Sequence, residues 1–202
     1  MRVTFAALAF AAALALPAYA QNASGPAPSS KSPNDQTGIS QQDKQFLGYA
    51  AQDNQAEIQT CLIAEKQAQA PAVKAFARLM VDDHVQIESQ LAATASAEGV
   101  DLPNGVGQEG QKTMSRLEPL RGQEFDREFL KDQVKDHSHG IQRYDDESHA
   151  SRNDTVVHYV NETLPILKQH LALAEAVQAS LQSGQPQAMA SGSESSGSHG
   201  KD

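Results

Sequence analysis

Apolar side chains recur at intervals of three and four residues through long stretches of this chain, which is the period of an amphipathic α-helix. In one stretch the spacing produces a continuous apolar stripe of Val73, Phe76, Met80, Ile87, Leu91 and Ala95. Two later stretches repeat it, with Leu130, Val134, Ile141 and Tyr144 in one and Val160, Leu164, Leu167, Leu171, Ala174 and Val177 in the other. No stretch alternates apolar and polar residues in the manner of a β-strand, so the spacing predicts an all-α protein.

Capping residues, glycines and prolines set the limits of four long helices. Ser40 and Asp43 form a capping arrangement at the start of the first helix, and Pro71 suits the first turn of the second. The predicted helices cover residues 40–70, 71–98, 123–151 and 153–181, and a short extra helix covers residues 111–117. Long helices joined by short connections predict an antiparallel four-helix bundle over residues 40–182, with the short helix between helices two and three.

The first 20 residues have the pattern of a secretory signal peptide. Arg2 precedes an uninterrupted apolar stretch, and Ala18-Tyr19-Ala20 provides the small residues of a cleavage site. The apolar stretch is too short to span a bilayer, and no later segment stays apolar for about 18 residues, so we expect no transmembrane segment. We therefore expect an exported, soluble protein, with the periplasm as the leading compartment and the medium or the outer membrane as alternatives.

Two flanking segments are poor in apolar side chains. Residues 21–39 and 183–202 are rich in Ser, Pro, Gly and Asn, and such segments cannot bury enough surface to offset the entropy of ordering. We predict a disordered linker before the bundle and a disordered tail after it.

The charge balance restricts the partners. The chain has 16 basic and 25 acidic residues, and loss of Arg2 with the signal peptide leaves 15 − 25 = −10. An acidic surface without a basic stripe disfavours nucleic acid as a partner and attracts cations. The single cysteine, Cys61, excludes an intrachain disulfide.

Three histidines occupy positions on the apolar stripes, where surface histidines are not expected. His84 lies four residues after Met80, His137 three after Val134, and His170 three after Leu167. The same spacing brings Glu57 to the inward side of the first helix. All four side chains are therefore predicted to point into the bundle.

The four inward polar residues also lie at similar heights. Glu57 and His84 are 14 and 13 residues from Pro71 at the first turn, while His137 and His170 are 14 and 16 residues from the last turn. At 1.5 Å per residue these offsets agree within about 5 Å, so the four side chains are predicted to meet near the midplane.

Imidazole nitrogens with one carboxylate suit a divalent transition metal such as Zn, Fe, Mn, Cu or Ni. The candidate ligands are Glu57, His84, His137 and His170, with Asp83, Glu88 and Asp136 as residues that orient the rings or replace a ligand. The alternative is a closed polar network in which the histidines bond to neighbouring acids and only stabilise the core. A di-iron centre is disfavoured because the chain lacks any Glu-x-x-His.

The chain resembles the secreted bacterial proteins grouped as domain of unknown function 4142. The resemblance rests on Ala56-Glu57-Ile58, on Val73-Lys74-Ala75-Phe76 leading to Met80-Val81-Asp82-Asp83-His84, on Gly99-Val100 with Leu102-Pro103, on Phe125-Asp126 with Val134-Lys135-Asp136-His137, and on Thr163-Leu164-Pro165 with His170-Leu171. It implies a ferritin-like helical bundle and export, under a label of outer membrane protein, and brings no activity or catalytic residues. The family often has more glycine before its Glu, where this chain has Gln52-Asp53-Asn54-Gln55.

Three functions remain as hypotheses. The leading one is a non-enzymatic exported bundle that binds a divalent metal at its midplane, in envelope stress or metal handling. The second is a structural or protein-interaction module with a histidine-stabilised core and an unknown protein partner. The third, an oxidase or peroxidase that uses a bound metal, has least support, because the chain has no paired-carboxylate motif. The chain also has no Ser-nucleophile, phosphate-loop or Cys-x-x-Cys motif that would identify another enzyme.

Overall fold

The computed structural model describes residues 38–184, and within them the chain forms five α-helices and no β-strand. The helices are α1 (Gln41–Gln67), α2 (Pro71–Ala97), α3 (Gly107–Leu117), α4 (Gly122–Ala150) and α5 (Asp154–Ser183). The all-α prediction is confirmed. The predicted signal peptide, and nearly all of the predicted linker and tail, lie outside the described residues. Among residues 38–184, none of the helices combines the length and the apolar composition of a membrane-spanning segment.

The helices begin where the capping signals place them. Ser40 is the N-cap of α1 and exchanges hydrogen bonds with Asp43, which completes a capping box. Pro71 occupies the first turn of α2, and the Asn153 side chain accepts from the Val156 N–H at the start of α5. The short helix α3 begins four residues before the predicted position, directly at Gly107, whose φ of +63° gives the left-handed turn that leads into it.

Two helical hairpins make up the bundle. The helices α1 and α2 pack along each other, α4 and α5 do the same, and α2 packs on α5 while α1 packs on α4. The short helix α3 lies mainly against α1. Gly110 permits this close approach, because a Cβ at its position would lie 2.7 Å from the Cβ of Ala56.

A buried carboxylate fixes the first hairpin to α4. Asp126, at 2 % exposure, accepts the backbone N–H groups of Gln69 and Ala70 at 2.9 and 2.8 Å. These donors belong to the turn between α1 and α2, so Asp126 replaces the partners that the helix ends lack.

The apolar core consists of two separate clusters. One contains Cys61, Phe76, Met80, Phe125, Phe129, Leu130, Ala174 and Val177 among others, and the second contains Leu47, Ala51, Ile87, Leu91, Tyr144, Val160, Leu164 and Leu167 among others. A fully buried Phe or Leu contributes about 1.5–3 kcal/mol through its burial. On each long helix a buried polar residue falls between the two clusters, namely Glu57, His84, His137 and His170. The core is therefore divided by a polar layer at mid-height.

Candidate metal centre

The three stripe histidines meet in the polar layer. One ring nitrogen from each of His84, His137 and His170 lies within 4.8 Å of one from each of the others. The ring centroids are 5.1 to 5.7 Å apart, and the residues are 3 %, 3 % and 0 % exposed. The predicted convergence of these three residues is therefore present in the fold.

The hydrogen bonds of His84 determine its tautomer. The Asn54 side chain donates from Nδ2 to the His84 carbonyl oxygen at 2.9 Å, so its Oδ1 faces the imidazole as an acceptor. Oδ1 lies 2.7 Å from His84 Nδ1, which must therefore carry the proton. The lone pair of His84 is left on Nε2.

The other two rings are oriented in the same way by different acceptors. His137 Nδ1 lies 3.0 Å from the backbone carbonyl oxygen of Gln133, and His170 Nε2 lies 2.9 Å from Asp83 Oδ2. A carbonyl and a carboxylate only accept, so these ring nitrogens are donors. Metal-bound histidines in proteins are held in this manner, with one nitrogen donating to an acceptor and the other free for the ion.

The remaining nitrogens are buried and unsatisfied. His84 Nε2, His137 Nε2 and His170 Nδ1 make no hydrogen bond to any described residue, although each is inaccessible to solvent. Buried polar atoms are normally hydrogen-bonded, and leaving one unpaired costs about 1–3 kcal/mol. The three rings that carry these lone pairs lie side by side, and no protein donor is shared among them.

Burial keeps the rings in the form that binds metal. Desolvation, with repulsion from the other two imidazoles, lowers the pKa of His84 well below its usual 6.5. Desolvation and His170 lower the pKa of His137 to about 4. Desolvation also lowers the pKa of His170, against the opposing effect of Asp83. Imidazole binds a metal only when neutral, so the site needs no deprotonation at pH 7.

A metal ion requires only a modest contraction of this arrangement. Metal–nitrogen distances of about 2.0–2.1 Å in a tetrahedral site place the ligand nitrogens about 3.4 Å from one another. One nitrogen of each ring already lies within 4.8 Å of one from each other ring. Bringing these three nitrogens to ligand distances would move each ring by about 1 Å or less. The donor set fits a transition metal with one open position.

Glu57 lies beside the histidines but outside that set. Its Oε1 is 4.0 Å from His137 Nδ1, and its Oε2 accepts from Gln133 Nε2 at 2.6 Å. Burial and then the charge of Asp53 raise its pKa well above the usual value. Within residues 38–184, the atoms close enough to share one ion come from the histidines alone.

The three predicted supporting acids occupy different places. Asp83 bonds to His170 on the neighbouring helix rather than to its own helix's His84. Glu88 accepts a hydrogen bond from the side chain of Gln55. Asp136 lies half-buried beside a cavity and 3.8 Å from Lys135 Nζ.

Two residues that support the site are not among those predicted from the sequence. Asn54 sets the His84 tautomer, and Gln133 positions both Glu57 and His137. Asn54 gives the one signal that could have found it, because it lies three residues before Glu57 on the inward side of α1. His139, His149 and His158 are exposed, and burial raises the pKa of the Cys61 thiol well above its usual value.

Comparisons with known proteins agree with the helical fold. A family model described as "Domain of unknown function (DUF4142)" matches residues 28–177. Among solved structures, the chain is similar to one described as "CopM in the Cu(II)-bound form", with a TM-score of 0.58 and 14 % sequence identity. The match covers 69 % of this chain and 97 % of that one, and at such identity it shows a common bundle fold alone. The search of curated proteins found no match.

Proposed function

We propose that this chain, which belongs to the DUF4142 family of domains of unknown function, binds one transition-metal ion between His84, His137 and His170. The protein acts by holding the ion, in metal handling or in the response to metal stress, and carries out no reaction on it.

The three unpartnered nitrogens are the observation that supports this proposal. A network built only for stability would pair the rings with one another or with further acids, as isolated buried histidines do. Here each ring bonds outward through one nitrogen and directs no donor inward. A cation bound to all three lone pairs would relieve the cost of leaving them unpaired.

Copper is the first ion to test. Neutral imidazole suits both copper and zinc, and copper binds such sites more tightly than the other divalent ions of its row. The similar bundle was solved with Cu(II), according to its description. Burial favours the neutral form of the Glu57 carboxyl group, and a bound cation would favour its loss of a proton. The ionised group would then supply a negative charge close to the ion, or a fourth ligand after a change of side-chain rotamer.

The predicted export supports a role in the cell envelope. The signal-peptide pattern of residues 1–20 predicts transport across the inner membrane, and the mature net charge of 15 − 25 = −10 attracts cations. We propose the periplasm as the place where the ion is acquired, with the medium and the outer membrane as the alternatives.

Elemental analysis of the mature protein, purified without an affinity tag, tests the proposal. We expect one equivalent of metal, or uptake of one equivalent of Cu²⁺ or Zn²⁺ by protein first treated with chelator. His137→Ala should abolish this uptake, whereas His139→Ala, an exposed histidine two residues away on the same helix, should not. Wild-type protein that binds no ion would refute the proposal and favour a structural module.

A further inference from the structure

The candidate metal centre is closed to solvent, so an ion needs a path to it. His84, His137 and His170 are at most 3 % exposed, and apolar clusters fill the bundle above and below them. Any path must therefore run sideways between two helices.

A cavity opens on one side of the bundle at the same height. It has a volume of about 260 Å³ and lies among α1, α3 and α4. Its charged lining residues are Asp53, Glu57, Glu109 and Asp136, with Lys135 and Arg143. Four carboxyl groups thus outnumber two cationic groups. The Arg143 guanidinium lies 4.1 Å above the ring of Tyr49, another lining residue.

Glu57 belongs both to this cavity and to the surroundings of the histidines. It lines the cavity, is 6 % exposed, and its Oε1 is 4.0 Å from His137 Nδ1. Oε1 makes no hydrogen bond with a described residue, whereas Oε2 is bound by Gln133. Nearby, Gln133 Oε1 is buried and unpartnered as well. Two oxygens without hydrogen-bond partners therefore lie together, one on Glu57 and one on the amide that is bound to it.

On the side of the bundle formed by α2 and α5, a direct side-chain contact lies between the histidines and the surface. There Asp83 reaches the surface with 40 % of its side chain exposed, but it bonds directly to His170 and closes the seam between α2 and α5. Neither Asp83 nor His170 lines the cavity among α1, α3 and α4.

We propose that the acidic cavity is the access path of the metal centre, with Asp53 and Asp136 attracting the hydrated cation and Glu57 passing it inward to the histidines. This proposal rests on the proposed function. Oxygen ligands hold the ion loosely on the way, and nitrogen ligands hold it tightly at the end, because imidazole is the better ligand for copper and zinc.

The association rate of Cu²⁺ tests the path. Protein freed of metal is mixed with Cu²⁺ in a stopped-flow instrument, and the ligand-field absorbance is followed. The measurement is made at pH 8, since the pKa of Asp53, raised to about 7 by burial and by Asp136, leaves this group charged there. Asp53→Asn with Asp136→Asn should slow association about tenfold at low salt, and the difference should shrink as salt screens the charges.

Two further variants distinguish a general loss of negative charge from a change in the cavity itself. Glu162→Gln with Glu175→Gln removes the same charge from exposed sites on α5, a helix that contributes nothing to the cavity, and should leave the rate within twofold of wild type. Thr113→Trp fills the cavity from α3 without changing charge and should slow association at every salt concentration.

Rates within twofold of wild type for both the double Asn variant and Thr113→Trp would overturn the access path, while leaving the metal centre in place. Failure of wild-type protein to bind Cu²⁺ or Zn²⁺ at all would overturn both proposals. Slow association in the cavity variants alone, with one equivalent still bound at the end, would support the path.

Discussion

Acid should destabilise the metal-free protein through His137. Its pKa is 6.5 in an unfolded chain and about 4 in the fold, where desolvation and the neighbouring His170 disfavour the charged ring. Between these values the unfolded state binds more protons, so the free energy of unfolding falls as the pH falls from 6.5 to 4. This pKa difference of about 2.5 between the two states corresponds to about 3 kcal/mol in the free energy of unfolding, since one pKa unit is worth about 1.36 kcal/mol.

Buried carboxyl groups stabilise the fold as the pH falls, so their contribution must be separated from the destabilising contribution of His137. Burial raises the pKa of Glu57, Asp53 and Asp136 in the folded state, so their protonation favours folding as the pH falls. Urea unfolding is therefore compared between wild type and His137→Gln, in chelator, from pH 7 to pH 4. The carboxyl contributions largely cancel in the difference between the two proteins.

The advantage of wild type over His137→Gln should shrink by about 3 kcal/mol across this range. His139→Gln, with an exposed ring on the same helix, should show a difference that hardly changes with pH. A His137→Gln difference that stays constant within about 1 kcal/mol from pH 7 to pH 4 would mean that the fold does not lower the pKa of His137.

Three other substitutions follow from contacts described above. Asn54→Ala removes the acceptor that holds the His84 tautomer and should weaken metal binding about 10–100-fold in a competition titration against a chelator. Gly110→Ala should cost about 1–3 kcal/mol in thermal unfolding, whereas Gly140→Ala, where the nearest atom to a new Cβ is 3.9 Å away, should stabilise the helix by about 0.5–1 kcal/mol. Asp126→Asn should cost about 1–3 kcal/mol by the same assay, since an amide presents one acceptor oxygen to the two N–H groups of the turn.

The fold was largely accessible from the sequence because local signals and the apolar period agree. Ser40, Pro71 and Asn153 begin helices in the structure as their side chains predict. The start of α3 was less accessible. Its first turn depends on the left-handed backbone of Gly107 and on packing against α1, and neither leaves a periodic pattern over so short a helix.

The candidate centre was accessible in part. The number of residues between a side chain and the nearest turn gives its height in the bundle. Equal heights were enough to predict that His84, His137 and His170 lie together. Heights do not describe how each helix is rotated about its axis or which rotamer each side chain adopts. These two features determine that Glu57 faces the cavity. For the same reason, the pairing of Asp83 with His170 across two helices was not foreseen.

Because the polar layer keeps the two apolar clusters apart, each end of the bundle has its own cooperative core. In the metal-free protein the ends should open independently, and amide hydrogen exchange should resolve two sets of protected amides with different opening free energies. An ion bound to α2, α4 and α5 at once would couple these openings. Metal binding would then make the two ends unfold together as one cooperative unit, in addition to making the bundle more stable.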